Sequence, residues 1–231
     1  MDTVKKNLLK LQEEIAQIVG QENGQKIELY TPNIIAVTKY FDETRIIEAY
    51  QAGLRDFGES RVVEAVEKIS KLPQEIKDNS RFHFIGHLQA NKVAKLIGNF
   101  DLVHSVDSIK LAKAVSDEAI KRGVVQKVLL QVNNANEEQK FGFSREDVFT
   151  EFSEVLKLKG IEVVGLMNMA PLGASKGKLK NLFEDVVSIR NELEEKFDCR
   201  LKEISMGMSG DYKEAIVAGA TMIRVGRRLF S

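Results

Sequence analysis

The sequence predicts an α/β protein built as a single (β/α)8 TIM-type barrel with an extra helix at its N-terminus. Three observations carry that expectation. Short apolar runs recur eight times, each closing on small, polar or glycine residues: IIAVT (34–38), LRDFG (54–58), FHFIG (82–86), LVHSV (102–106), KVLLQV (127–132), EVVGLM (162–167), KEISMG (202–207) and TMIRVG (221–226). Longer amphipathic stretches separate them, at 43–52, 59–70, 88–98, 108–121, 144–157, 178–196 and 210–218. Strand-helix alternation means parallel pairing, because each parallel pair needs a crossover that a helix supplies. The length, 231 residues, suits one such barrel over the whole of 1–231. A doubly wound open sheet is the competing arrangement of the same elements.

Ahead of the first run, Val4, Leu8, Leu11, Ile15 and Ile18 recur at three- and four-residue spacing and predict an amphipathic helix ending near Gly20. Its charges, Lys5, Lys6, Lys10, Glu13 and Glu14, break the uninterrupted apolar core that a signal peptide needs. No stretch approaches the roughly 20 apolar residues of a membrane span. Hydrophobic residues at 43% and charged residues at 29% describe a folded globular chain. Basic and acidic residues both total 34, so no net charge steers the chain toward nucleic acid or a membrane surface, and a small-molecule partner is expected. One cysteine, Cys199, permits neither a disulfide framework nor a cysteine-rich metal site and suits the cytoplasm.

Chemistry in either parallel architecture sits at the carboxyl ends of the strands. Lys39 directly follows IIAVT and shares a face with Ile35 and Val37 in an extended segment. It reads either as a solvated surface lysine or as an amine whose desolvation makes it an imine-forming nucleophile. Arg224 lies inside the apolar run TMIRVG, where a guanidinium needs an acceptor, in the fold or on a ligand. SMGMSGD (205–211) precedes a helical run. Gly207 and Gly210 permit a tight turn, and Ser209 stands where it caps the helix, so the segment is either an ordinary capped turn or a phosphate cradle. Gly226 and the amide of Arg227 would complete that cradle. His83, His87 and His104 lack metal-ligand spacing and read as core or loop histidines. No GxGxxG, Walker-type loop or GxSxG elbow occurs.

With these pieces in place, the chain resembles the pyridoxal phosphate homeostasis proteins (YggS/PROSC type). The resemblance rests on IIAVTK, DFGES, HFIGHLQANK, QVNNANEEQKFGF, VVGLMNMA, SMGMSGDYKEAI and MIRVG, in order across residues 34–226. It implies a barrel like the alanine racemase N-terminal domain, without that class's second, β-rich domain. It further implies pyridoxal 5'-phosphate held as a Schiff base on Lys39, with the phosphate on Ser205, Gly207, Met208 and Ser209 together with Gly226 and Arg227. Arg224 would approach the pyridine nitrogen. An arginine there disfavours ring protonation and weakens the cofactor as an electron sink, which favours a non-catalytic carrier over an amino-acid racemase. The second acid-base residue of alanine racemases, a tyrosine on the β-rich domain, has no counterpart after residue 226. The partners implied are the cofactor and, transiently, apo pyridoxal phosphate enzymes, for a cytoplasmic monomer binding neither nucleic acid nor membrane. Two departures from the family pattern are Ser60, where GEN is usual, and the ending Phe230-Ser231.

Overall fold

The computed structural model describes residues 3–22, 31–135 and 141–231. Eight strands, β1 (Asn33–Val37), β2 (Asp56–Glu59), β3 (Arg81–Phe84), β4 (Leu102–Val106), β5 (Gln126–Val132), β6 (Ile161–Asn168), β7 (Glu203–Met208) and β8 (Met222–Val225), pair in sequence order into a closed barrel. All pairings are parallel, and β8 returns to β1 with Ile35 opposite Arg224. That last pairing excludes the open sheet. The strands read as nearly continuous apolar runs because both of their faces are covered: Ile35, Leu102, Leu129, Met167 and Met222 meet inside the barrel, and a larger layer packs between barrel and helices.

The helices are α1 (Thr3–Glu22), α2 (Glu43–Gln51), α3 (Val62–Ser70), α4 (Gln74–Asp78), α5 (Val93–Leu96), α6 (Ile109–Lys121), α7 (Arg145–Leu156), α8 (Lys176–Phe197), α9 (Tyr212–Ala218) and α10 (Arg227–Phe230). Local chemistry starts several of them. Asp42, Ser108 and Ser175 accept first-turn N–H bonds, and Ser144 forms a capping box with Asp147. Val4, Leu8, Leu11 and Ile15 bury one face of α1, as their spacing predicts. The helix is fastened to the end of the chain: Tyr212 and Arg228 both reach Glu14, and Asn7 donates to the Leu229 and Ser231 carbonyls.

Three elements differ from the expectation. The helix expected over 88–98 shrinks to a 3-10 turn, Ala90–Lys92, and the single turn of α5. Ile97 leaves the helix with ψ 131° and Gly98 adopts φ +81°, which ends it. The one-turn helices α4 and α10 are too short for a periodic signal. Residues 136–140 of the QVNNANEEQKFGF segment lie outside the described residues. Among the described residues no helix is long and apolar enough to cross a membrane.

Candidate functional site

The register brings the expected residues of β1, β7 and β8 to the carboxyl end of the barrel. Arg224 lies beside Ile35 on one neighbour and Met208 on the other. Gly226 abuts Val37, whose carbonyl oxygen would stand 3.3 Å from a Cβ built there. Lys39 follows two residues later, in a turn closed by the Phe41 N–H donating to the Thr38 carbonyl (2.9 Å). It is half-buried, and its Nζ sits 5.0 Å from the Tyr40 ring centre. Among the described residues the amine has no hydrogen-bonding or ion-pair partner, so neither a carboxylate nor a carbonyl ties it down.

The turn before Lys39 is anchored from below, which the sequence did not disclose. Lys68 of α3 is nearly buried and donates Nζ to the Thr38 carbonyl (3.0 Å) and to Glu59 Oε1 (2.7 Å). Thr38 Oγ1 donates to the same Glu59 oxygen (2.7 Å). A buried pair of this kind is costly unless every polar atom is engaged, and here shared hydrogen bonds hold strand end and helix together.

Arg224 is 3% exposed. Its partners are neutral: Nη1 donates to the Ser205 carbonyl (2.8 Å) and Oγ (2.7 Å), and Nη2 to the Asn168 carbonyl (2.8 Å). The acceptors that burial calls for are thus supplied by the fold as uncharged oxygens. Burial pulls its pKa down to about 10, with Asp211 opposing, so the side chain stays cationic at neutral pH. A guanidinium has five N–H donors. Among the described residues three are used, which leaves the Nε–H and one Nη2–H for a ligand.

SMGMSGD forms the end of β7 and a turn into α9. Gly207 has φ +86°, and a Cβ there would lie 2.6 Å from the Ala215 Cβ, so only glycine fits. The expected cap is corrected: Asp211, not Ser209, occupies the N-cap of α9, and its carboxylate accepts the Met208 N–H across the turn. The serine stands outside the helix because the chain uses Gly210 and Asp211 to finish the turn before helical geometry begins. Ser209 and Met208 are half-buried, Ser205 is fully buried beneath them, and Arg227 is exposed at the start of α10 behind Gly226.

These residues suit a flat, phosphorylated aromatic. Among the described residues two guanidinium hydrogens are available and Asn168 Oδ1 is buried without a hydrogen-bond partner, while Gly207 and Gly226 let the ends of β7 and β8 pack closely on Ala215 and Val37. A cavity of about 820 Å³ lies instead at the amino ends of the strands, against Arg81, Leu102, Lys127, Glu203 and Met222. Barrel chemistry belongs to the other mouth.

The histidines divide. His87 is exposed on a loop and stacks on Phe141 with ring centres 3.7 Å apart, whereas His83 and His104 are buried core residues bonded to each other (2.9 Å). Among the described residues no group of His, Cys, Asp and Glu could hold a metal ion. Cys199 is a half-buried free thiol whose pKa is pushed up by burial and then by Glu194 and Asp198, which disfavours the nucleophilic thiolate.

Fold and site together define an alanine racemase-type barrel: the family model for the alanine racemase N-terminal domain matches residues 21–231. Within that class the chain belongs to the pyridoxal phosphate homeostasis proteins. A pyridoxal phosphate homeostasis protein of Synechocystis is 41% identical, over 85% of this chain and 89% of that one. PipY of Synechococcus elongatus, solved without PLP, superposes with a TM-score of 0.82 at 37% identity, covering 94% of this chain and 100% of PipY. The same protein with PLP bound gives 0.79 at 36%, again over 94% of this chain and 100% of PipY. An alanine racemase of Clostridium difficile matches 100% of this chain with 56% of its own at a TM-score of 0.71 and 17% identity, a likeness of fold alone.

Proposed function

We infer that this protein binds pyridoxal 5'-phosphate as a Schiff base on Lys39 and serves cofactor homeostasis, buffering or delivering the cofactor without substantial catalysis. The bound cofactor supplies an aldehyde that condenses with an amine, with loss of water. The chain's own residues supply the rest. Lys39 offers a half-buried amine at the end of β1, positioned by the Lys68–Glu59–Thr38 cluster. The phosphate is assigned to the turn of Ser205, Gly207, Met208 and Ser209 together with the backbone at Gly226 and Arg227, where first-turn N–H groups lack helical partners. Arg224 faces the ring nitrogen.

Arg224 is the observation that carries the reading. A guanidinium pinned by three hydrogen bonds to uncharged oxygens remains a donor at neutral pH. Opposite such a donor the ring nitrogen is disfavoured as a proton acceptor, and the ring stabilises a developing carbanion poorly. Retention, more than turnover, follows. A single-domain cytoplasmic monomer that meets apo enzymes transiently is the form we assign to this role.

The alternative is an amino-acid racemase, which needs a second acid-base group across from Lys39. The fold likeness to alanine racemase is what keeps it in view. Incubation with amino acids in D₂O decides: absence of deuterium at Cα supports the carrier, and stoichiometric exchange with inversion establishes the racemase. Lys39→Ala is expected to lose the borohydride-reducible link while retaining weaker, noncovalent binding through the phosphate contacts.

A further inference from the structure

One file of hydrogen bonds crosses the barrel interior. Arg81, at the start of β3, donates Nη2 to Asp56 Oδ2 (2.7 Å). Asp56 Oδ1 meets His83 Nε2 (2.8 Å), His83 Nδ1 meets His104 Nε2 (2.9 Å), and His104 Nδ1 meets Ser205 Oγ (2.9 Å). Ser205 Oγ receives Arg224 Nη1 (2.7 Å). From Asp56 to Arg224 no member is more than 6% exposed.

Donor and acceptor counting gives the file a direction. Arg224 only donates. At the other end, burial pushes the Asp56 pKa up, but hydrogen bonds from His83 and Arg81 outweigh this and hold it below the ordinary value, so the group is a carboxylate that only accepts. Burial above all drives the His104 pKa well below the usual imidazole value, so this ring is neutral and carries one hydrogen. If His83 is neutral as well, each contact has one donor and one acceptor. Ser205 O–H gives to His104 Nδ1, His104 Nε2–H to His83 Nδ1, and His83 Nε2–H to Asp56. An imidazolium at His83 turns His104 over to its Nδ1–H form. Two donors then point at Ser205 Oγ, and the serine hydrogen has no acceptor among the described residues.

We propose that Asp56, His83, His104 and Ser205 are positioning residues for Arg224: Asp56, four hydrogen bonds away, sets which way Ser205 presents its hydroxyl and thereby where the guanidinium is held. The role toward the cofactor rests on the assignment of Arg224 to the ring nitrogen made above. The direction of the file does not. Asp56→Asn should reverse it. Arg81 cannot accept, so the new carbonyl faces Arg81 and the new NH₂ faces His83. That forces His83 to accept at Nε2 and donate from Nδ1, His104 to donate from Nδ1, and Ser205 Oγ to take a second donor in competition with Arg224.

Imidazole ¹⁵N NMR on the cofactor-free protein tests this directly, with the Arg224 Nε–H resonance as the readout at the far end. Both rings in the wild type should be Nε2–H tautomers, and in Asp56→Asn both should become Nδ1–H with a shifted Arg224 resonance. In the loaded protein Asp56→Asn should release pyridoxal phosphate about threefold to tenfold faster and shift its visible absorption, the size expected for weakening one hydrogen bond. Ser205→Ala should also move the Arg224 resonance and speed release, but leave both rings Nε2–H. Wild-type His104 found as Nδ1–H or as imidazolium overturns the direction. Folded variants that leave the Arg224 resonance and the release rate unchanged overturn the positioning role. A wild type that forms no adduct on Lys39 removes the cofactor reading instead, and the cofactor-free spectra still decide the file.

Discussion

Lys68 Nζ and Glu59 Oε1 lie 2.7 Å apart, their side chains 10% and 3% exposed, directly beneath the turn that presents Lys39. Removing one partner strands the other charge out of water, which costs about 3–5 kcal/mol. Lys68→Ala is therefore expected to lower unfolding stability by about that amount in urea titration. It also frees the Thr38 carbonyl, so borohydride trapping of pyridoxal phosphate at Lys39 should slow. Lys68→Met, which restores volume but not charge, should remain destabilised because Glu59 is still unpaired. The double variant with Glu59→Gln should recover part of the loss.

Acid stability should show the His104 ring. Its pKa is depressed in the fold, so below the unfolded value of about 6.5 the unfolded chain binds a proton that the folded chain does not. Stability contributed by this group is therefore complete above about pH 6.5 and falls as pH drops below it, by up to about 1.4 kcal/mol per pH unit. Asp56, whose pKa is likewise held below its ordinary value, adds a second loss as pH falls below the ordinary carboxylate value. Denaturant midpoints between pH 7 and 5 should fall in the wild type and flatten in His104→Gln, which keeps a donor and an acceptor but does not titrate.

Gly207→Ala tests the turn at the end of β7. The residue has φ +86°, and the new methyl would meet the Ala215 Cβ at 2.6 Å. Left-handed geometry alone costs about 1–2 kcal/mol, and the contact adds to it by pushing α9 away. A fall in melting temperature is expected, and the phosphate assignment proposed for this turn predicts a larger loss of affinity for pyridoxal phosphate than for pyridoxal. Equal losses for the two ligands would remove Gly207 from the phosphate assignment.

The barrel was legible because a parallel barrel buries both strand faces, leaving runs such as IIAVT and KVLLQV that need no register to be seen. Arg224 was legible as a buried guanidinium because a charge inside an apolar strand is out of place, whereas Lys39 at a strand's exit read equally as a solvated surface lysine. Elements of one turn, such as α4 behind Pro73 and α10 behind Gly226, carry no period to read. The Lys68 anchor was invisible because a lysine in VVEAVEKIS looks like any solvated helix face. The file from Asp56 to Arg224 was hidden by separation: His104 and Ser205 stand 101 residues apart. Its only local trace is that Asp56, His83, His104, Ser205 and Arg224 each interrupt an apolar strand. Ser209 was misplaced as a cap because the chain spends two more residues on its turn before α9 begins.

Intact mass of the protein mixed with pyridoxal phosphate, before and after borohydride reduction and followed by peptide mapping, tests the central assignment most directly. One reduced adduct, mapped to Lys39 and absent from Lys39→Ala, is the predicted result. An adduct on a different lysine, or none at all under reduction, would contradict it.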